Sequence, residues 1–252
     1  MLNIVIPMAG AGSRFAAEGY KDPKPLIPVN GLPMIRVVIN NLRPNISHRF
    51  IFICQQAHIE AYELIEKLTS WAPGCHVIGL DGLTNGAACT VLAAREFIEN
   101  EDPLMIANSD QYVDVDINDY LRYMDEENLD GLIMTMRAND PKWSFVGLDE
   151  ENLVTRVVEK QVISNEATVG IYNFKKGRDF VGAADKMISQ NLRVNNEFYV
   201  APAYDQLISA GQRIGIFNVG AETNGMYGLG IPADLELFLS LPIHKKATVT
   251  VS

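Results

Sequence analysis

Residues 3–25 read NIVIPMAGAGSRFAAEGYKDPKP, and the reading of this stretch decides the fold. Residues 3–7 are a short apolar run of the kind that forms a buried strand. A glycine-rich turn follows at once, Met8-Ala9-Gly10-Ala11-Gly12-Ser13-Arg14-Phe15. In open α/β sheets ligands bind outside the carboxyl ends of the strands, where such a turn lies. The dinucleotide fingerprint needs a third glycine at position 15, where Phe stands, and the Walker pattern needs a closing Gly-Lys-Ser/Thr that is missing here. An NAD site and a P-loop are therefore disfavoured. What remains is a loop whose glycines let backbone N–H groups approach phosphate oxygens, with two cations in reach, Arg14 and Lys24. The loop is expected to run on to Lys21-Asp22-Pro23-Lys24-Pro25 without entering a helix.

Working outward, short apolar runs alternate with helical periods. Strands are expected at residues 3–7, 50–54, 76–80 and 103–107, with helices at 33–42, near 59–68 and near 87–98. Such βα units in succession imply a mostly parallel sheet covered by helices on both faces. After Asp110 the rhythm changes to strands at 131–137, 144–148, 154–159 and 168–174. Helices follow at 179–188 and 199–209, then a strand at 213–218 and a helix at 233–239. Asp116 is expected to cap a helix beginning near Ile117. The tail from residue 244 to 252 reads as a loosely held extension. No repeat or long linker divides the chain, so residues 1–252 are expected to form a single domain.

The composition is that of a globular protein: 252 residues, 48% hydrophobic and 21% charged. The amino terminus has no basic n-region, and Pro7 ends its apolar run far short of a membrane span, so a cytoplasmic protein is expected. Cys54, Cys75 and Cys89 show neither disulfide nor zinc spacing and read as small hydrophobes. The net charge of −10 makes nucleic acid and anionic membranes poor partners. A phosphate ligand must be held locally, by a few placed cations, backbone amides and a divalent metal.

Leu104-Met105-Ile106-Ala107-Asn108-Ser109-Asp110 is an apolar strand delivering a carboxylate to the same sheet edge as the glycine-rich turn. Asp110 there suits a hard Mg²⁺ ion bridging to a phosphate ligand; the competing role is that of a helix cap. The segment from Ile6 to Ile35, IPMAGAGSRFAAEGYKDPKPLIPVNGLPMI, together with Gly86-Ala87-Ala88, Asn108-Ser109-Asp110, Val158-Glu159-Lys160, Gly170-Ile171-Tyr172, Asn196-Glu197-Phe198-Tyr199 and Gly230-Ile231-Pro232-Ala233-Asp234-Leu235, resembles the sugar-phosphate nucleotidyltransferases, or pyrophosphorylases. Among narrower relatives the chain is similar to short capsule- and lipopolysaccharide-associated members, including cytidylyltransferases acting on heptose phosphate or phosphoglutamine.

The resemblance implies an α/β, Rossmann-like, mostly parallel mixed sheet of the nucleotidyltransferase and glycosyltransferase-A type. It implies a nucleotide-binding half, residues 1–110, and an acceptor-binding half, residues 111–252. It implies transfer from an NTP, CTP favoured, to a phosphorylated small molecule, with Mg²⁺ as cofactor and a homo-oligomer as an open option. By carry-over, Arg14 holds the β- and γ-phosphates, Lys24 neutralises the α-phosphate region and Lys160 meets the acceptor phosphate. Ala9, Gly10, Gly12, Ser13, Gln56, Gly86 and Ala87 are placed around the nucleotide, with Gln55 beside Gln56. Glu159, Gly170, Asn196 and Glu197 are placed around the acceptor. Adjacent strand residues point to opposite faces, so Glu159 and Lys160 serve one ligand only if the strand ends or bulges there; Gln161 replaces the usual Pro beyond them. Trp143, Phe145, Phe198 and Tyr199 read as core aromatics of the acceptor half.

One position departs from the family. Gly228 stands where relatives carry an Asp that joins the strand-end Asp on the metal; either Asp110 holds the ion with water in that place, or Glu222 substitutes, ahead of Glu197. Two other readings stay open: a glycosyltransferase of the same fold, and a non-catalytic nucleotide-binding regulatory subunit.

Overall fold

The computed structural model describes residues 1–249. Its strands are β1 (Leu2–Pro7), β2 (Pro28–Val29), β3 (Leu32–Pro33), β4 (His48–Gln55), β5 (His76–Leu80), β6 (Leu104–Ala107), β7 (Gln111–Val113), β8 (Gly131–Arg137), β9 (Ser144–Leu148), β10 (Val154–Glu159), β11 (Glu166–Phe174), β12 (Ile214–Glu222) and β13 (Gly225–Gly228). An 11-stranded sheet runs in the order β5-β4-β1-β6-β11-β8-β12-β13-β7, with β9 pairing β10 and β11, while β2 and β3 form a separate small hairpin. β5, β4, β1 and β6 are mutually parallel, and β11 runs antiparallel between β6 and β8. The carboxyl ends of β1, β4 and β6 therefore share one edge with the amino-terminal part of β11.

The central strands are apolar on both faces because helices cover both. Along β1, Leu2, Ile4 and Ile6 turn to one core cluster and Val5 to the other, the two-residue alternation expected of a pleated strand. Two fully buried tyrosine hydroxyls are matched: Tyr120 donates to the Leu132 carbonyl at 2.8 Å and Tyr204 to the Asn173 carbonyl at 2.7 Å. The cysteines are free, and burial pushes the Cys54 thiol up to about 12. Asp116 caps the helix Ile117–Glu126, accepting from the Asn118 amide.

Several sequence expectations are corrected. The helix near 59–68 is two helices, Gln56–Tyr62 and Leu64–Trp71, separated by Glu63 in a left-handed conformation at φ 51°. The helix near 87–98 likewise divides into Ala87–Leu92 and Arg95–Ile98. The glycine-rich loop does enter a helix, the five residues Ser13–Ala17, because Phe15 buries fully and props the turn. The tail is not loose over residues 244–249. Helix Ile243–Ala247 packs Ala247 against Phe238 in a third core cluster, Lys246 pairs with Asp114, and Asn30 Nδ2 donates to Thr248 Oγ1 at 2.8 Å. Residues 250–252 lie outside the described residues. Among the described residues no helix is long and apolar enough to cross a membrane.

Candidate active site

The turn after β1 is anchored from below. Phe15 packs edge-on against Tyr20 with ring centroids 5.1 Å apart, so its neighbour Arg14 stays on the exposed side and lines a cleft of about 720 Å³. Gln55, at the end of β4, donates its amide to the carbonyls of Ala9 and Gly10 at 3.0 and 3.2 Å and so holds the loop. Lys24 opens a short 3₁₀ turn, and its ammonium meets Oδ2 of Asp110 at 2.7 Å, both side chains being about three-quarters buried. Asp110 leads straight into β7, so no helix starts there for it to cap.

On the acceptor side β10 ends at Glu159, and Lys160 adopts a left-handed conformation at φ 55°. That turn brings both side chains to the same cleft, which a continuing strand would forbid. Glu159 is buried and accepts a hydrogen bond from Ser144 Oγ. Burial pushes its carboxyl above the ordinary range, with Glu197 adding to the effect and Ser144 and Lys160 opposing it. Lys160 donates to Tyr199 Oη at 2.9 Å, which pushes its ammonium further up.

The raised Glu159 carboxyl carries a sign. Its proton is held more tightly in the folded than in the unfolded chain, so stability is greatest below the ordinary carboxylate range and falls as pH rises through the raised value. Glu159→Gln keeps the Ser144 contact without the charge. The variant is expected to gain in melting temperature relative to wild type as pH rises from about 4 to 8, and thermal melts across that range check it; a constant difference would contradict it.

Arg14, Ala87, Asp110, Glu159, Lys160, Gly170 and Glu197 all line this one cleft, and Lys24 reaches it through Asp110. Other expected residues stand apart from its wall. Gln56 donates to Glu60 at 2.8 Å, and Glu222 takes an ion pair from Lys142 at 2.8 Å. Asn195 and Asn196, at φ 50° and 64°, occupy the two left-handed positions of a tight turn bridged by Val194 and Glu197, a conformation asparagine tolerates well. Ala9, Gly10, Gly12 and Ser13 form the loop that carries Arg14, with Gly12 packed on Lys24. Of the aromatics, Phe145 and Phe198 are core, whereas Trp143 and Tyr199 are cleft wall.

Gly86 is not on the wall but shapes it. At φ 116° it caps helix Ala87–Leu92, and a Cβ there would meet the Phe198 amide nitrogen and carbonyl oxygen at 2.6 Å. Gly86→Ala combines a strained backbone with a backbone clash and is expected to cost about 1–3 kcal/mol. Chemical denaturation measures this; a loss under 0.5 kcal/mol would remove the tight approach as a constraint.

Residues to which the sequence reading gave no role also line the cleft, among them Lys142, Ser144, Gln111 and Asp234. Lys142 stacks over the Trp143 ring at 4.9 Å. Gln111 Nε2 and Trp143 Nε1 are buried donors without a protein partner, the arrangement expected where a ligand supplies acceptor oxygens. Asp234 was visible only as part of the Gly230–Leu235 motif, and burial, with Glu222 and Asp110 nearby, pushes its carboxyl up.

The sequence matches the nucleotidyl transferase family over residues 4–197. It is 24% identical over 179 residues to the bifunctional protein GlmU of Methanocaldococcus jannaschii, covering 69% of this chain and 40% of that protein. It is also 24% identical over 243 residues to the mannose-1-phosphate guanylyltransferase catalytic subunit beta of Dictyostelium discoideum, covering 91% and 64%. The chain thus spans less than two-thirds of the length of these curated relatives. A nucleoside-diphosphate-sugar pyrophosphorylase from Vibrio cholerae RC9 superposes with TM-score 0.78 at 24% identity, covering 94% of this chain and 100% of that one. The inositol-1-phosphate CTP transferase from T. maritima superposes with TM-score 0.76 at 15% identity, covering 99% and 97%. These structural likenesses show the α/β fold.

Proposed function

The chain belongs to the nucleotidyl transferase family, and from that premise we propose that it condenses a nucleoside triphosphate with a phosphorylated small metabolite and releases pyrophosphate. The observation that carries this reading is the convergence on one cleft of Arg14, Asp110 and the Glu159–Lys160 pair, from three separate parts of the chain. In this reading residues 1–110 bind the nucleotide and residues 111–252 the acceptor, within one cytoplasmic domain. We take the triphosphate to be CTP on the resemblance of the chain to short cytidylyltransferases, a choice that the comparison of the four NTPs decides. The acceptor is a sugar phosphate or phosphoglutamine, and the product feeds capsule or surface polysaccharide synthesis.

An acceptor phosphate oxygen attacks the α-phosphorus, the bond to the β-phosphate breaks, and its electron pair leaves with pyrophosphate. Repulsion between the two polyanions is the main obstacle, so positioning and electrostatics supply the catalysis. Arg14 grips the departing pyrophosphate with its planar fork. Lys24 neutralises the α-phosphate and Lys160 the acceptor phosphate. Glu159 accepts from an acceptor hydroxyl or amide, and the unpartnered donors of Gln111 and Trp143 suit the oxygens of the same ligand. The base lies against the backbone of Ala9 and Gly10 and the Gly86–Ala87 turn.

The resemblance to the sugar-phosphate nucleotidyltransferases implies a divalent metal ion, and we take it to be Mg²⁺. Among the described residues no three His, Cys, Asp or Glu side chains gather into a closed metal cage. Asp110 offers one hard carboxylate at the cleft, which fits Mg²⁺, an ion that keeps several waters and takes one or two carboxylates plus substrate phosphates. Asp110 would hold the ion, which when bound offsets the charge developing on the triphosphate.

The test is pyrophosphate release with each of the four NTPs against a panel of sugar phosphates and phosphoglutamine. Release that requires both substrates is expected. Release of a nucleoside diphosphate from a sugar nucleotide instead would favour a glycosyltransferase, and tight NTP binding without turnover a regulatory subunit.

A further inference from the structure

We propose that Asp234 supplies the second carboxylate of the divalent-cation site, in the space that glycine leaves open at position 228. The inference rests on the nucleotidyl-transfer reading, because it assigns a residue to the ion that this reaction uses.

Leu229 is fully buried in the core cluster around Phe15 and Leu235, while its neighbours Gly228 and Gly230 both line the cleft. The two glycines make a floor without side chains. A Cβ on Gly230 would lie 2.5 Å from Oδ2 of Asp110, and one on Gly228 would lie 3.2 Å from Oδ2 of Asp234. Two carboxylates from different elements thus lean over the same short segment, Asp110 from the end of β6 and Asp234 from the first turn of helix Pro232–Ser240. Residues two apart are separated by at most about 7 Å of extended chain. Both acids thus face the one cleft across a two-residue step, the interval that a cation carrying its own waters would fill.

The surrounding charges agree. Arg14, Lys142, Asp110 and Glu222 all act on Asp234, yet Lys142 gives its ion pair to Glu222. Glu222 is thereby occupied and off the cleft wall, whereas Asp234 lines the cleft without that partner. An acid in the first turn of a helix also suits the helix dipole. That role requires neither the cleft nor the two glycines, and the experiment separates the two roles.

The affinity of the protein for the nucleotide selected by the panel is measured calorimetrically, once with saturating Mn²⁺ and once in EDTA. The ratio reads the coupling between ion and protein. In Asp234→Asn the Mn²⁺-dependent gain should fall about tenfold or more. Affinity in EDTA should hold or tighten, since an acid facing the triphosphate is gone. Asp110→Asn should behave alike, and Glu222→Gln should keep the gain. Asp234→Ser, which keeps a residue suited to a helix start, repeats the test should the amide disturb folding. Gly228→Asp combined with Asp234→Ala should restore the gain, since Ala clears the carboxylate beside position 228. A full Mn²⁺ gain in the Asp234 variants, with loss in Asp110→Asn, would overturn the assignment of Asp234 alone. A full gain in both would overturn the metal reading with it.

Discussion

Asp110→Asn is expected to abolish nucleotidyl transfer at saturating Mg²⁺ while leaving the fold intact. The substitution is isosteric, and the side chain is not part of the apolar core, so the melting temperature should stay close to that of wild type. The chemistry is another matter. A neutral amide is a poor partner for a hard dication, and a metal acting on developing charge is worth several kcal/mol, on the order of a thousandfold or more in rate. The 2.7 Å contact with Lys24 adds a second signature. Without the carboxylate the ammonium is released to the triphosphate, so KM for the nucleotide should hold or fall while kcat collapses. If Asp110 served only to hold Lys24, kcat would survive and its Mg²⁺ dependence would not change. Steady-state pyrophosphate release across a Mg²⁺ series distinguishes the two.

Much of the fold is written in local pattern, and the exceptions have physical causes. β8, β9 and β10 have the expected bounds, residues 131–137, 144–148 and 154–159, because their apolar side chains bury against neighbouring strands and helices. β7 and β13 have three and four residues, too few to show a period, and they exist largely because they pair with each other. The helix Ser13–Ala17 is too short to be stable alone and depends on the burial of Phe15, a tertiary fact. The break at Glu63 is one left-handed residue, to which a periodicity reading is blind.

The candidate site divides along the same line. Arg14 and Asp110 follow the carboxyl ends of the parallel strands β1 and β6, so the topology brings the segments that carry them to one edge. Glu159 and Lys160 share the cleft only because a lysine adopts a positive φ, which nothing in its neighbours announces. Gln56 is expected at the nucleotide from its place at a strand end and Glu222 at the metal as a stand-in for the missing carboxylate, whereas their side chains pair with Glu60 and Lys142, and spacing does not reveal a partner as distant as Lys142. The pair of glycines at 228 and 230 was legible as a missing carboxylate; what the space between them accommodates was not.

Arg14→Ala is expected to lower kcat by about 10²–10³, the loss typical of removing one preorganised donor from a developing negative charge. The structure makes this a clean experiment. Phe15 anchors the loop from the opposite side and Gln55 holds it at Ala9 and Gly10, so neither depends on the guanidinium, and the exposed Arg14 can be removed within about 0.5 kcal/mol of wild-type stability. Because the β- and γ-phosphates carry more charge once they leave as pyrophosphate than they do within the bound triphosphate, the contact should strengthen along the reaction, and the loss should fall on kcat more than on KM. Arg14→Lys keeps the charge but not the planar fork and should recover only part of the rate. Rapid-quench measurement of a single turnover with saturating nucleotide places the defect at the chemical step. A folded Arg14→Ala enzyme with an unchanged single-turnover rate would remove Arg14 from the mechanism and leave Lys24 and the metal to stabilise the leaving group alone.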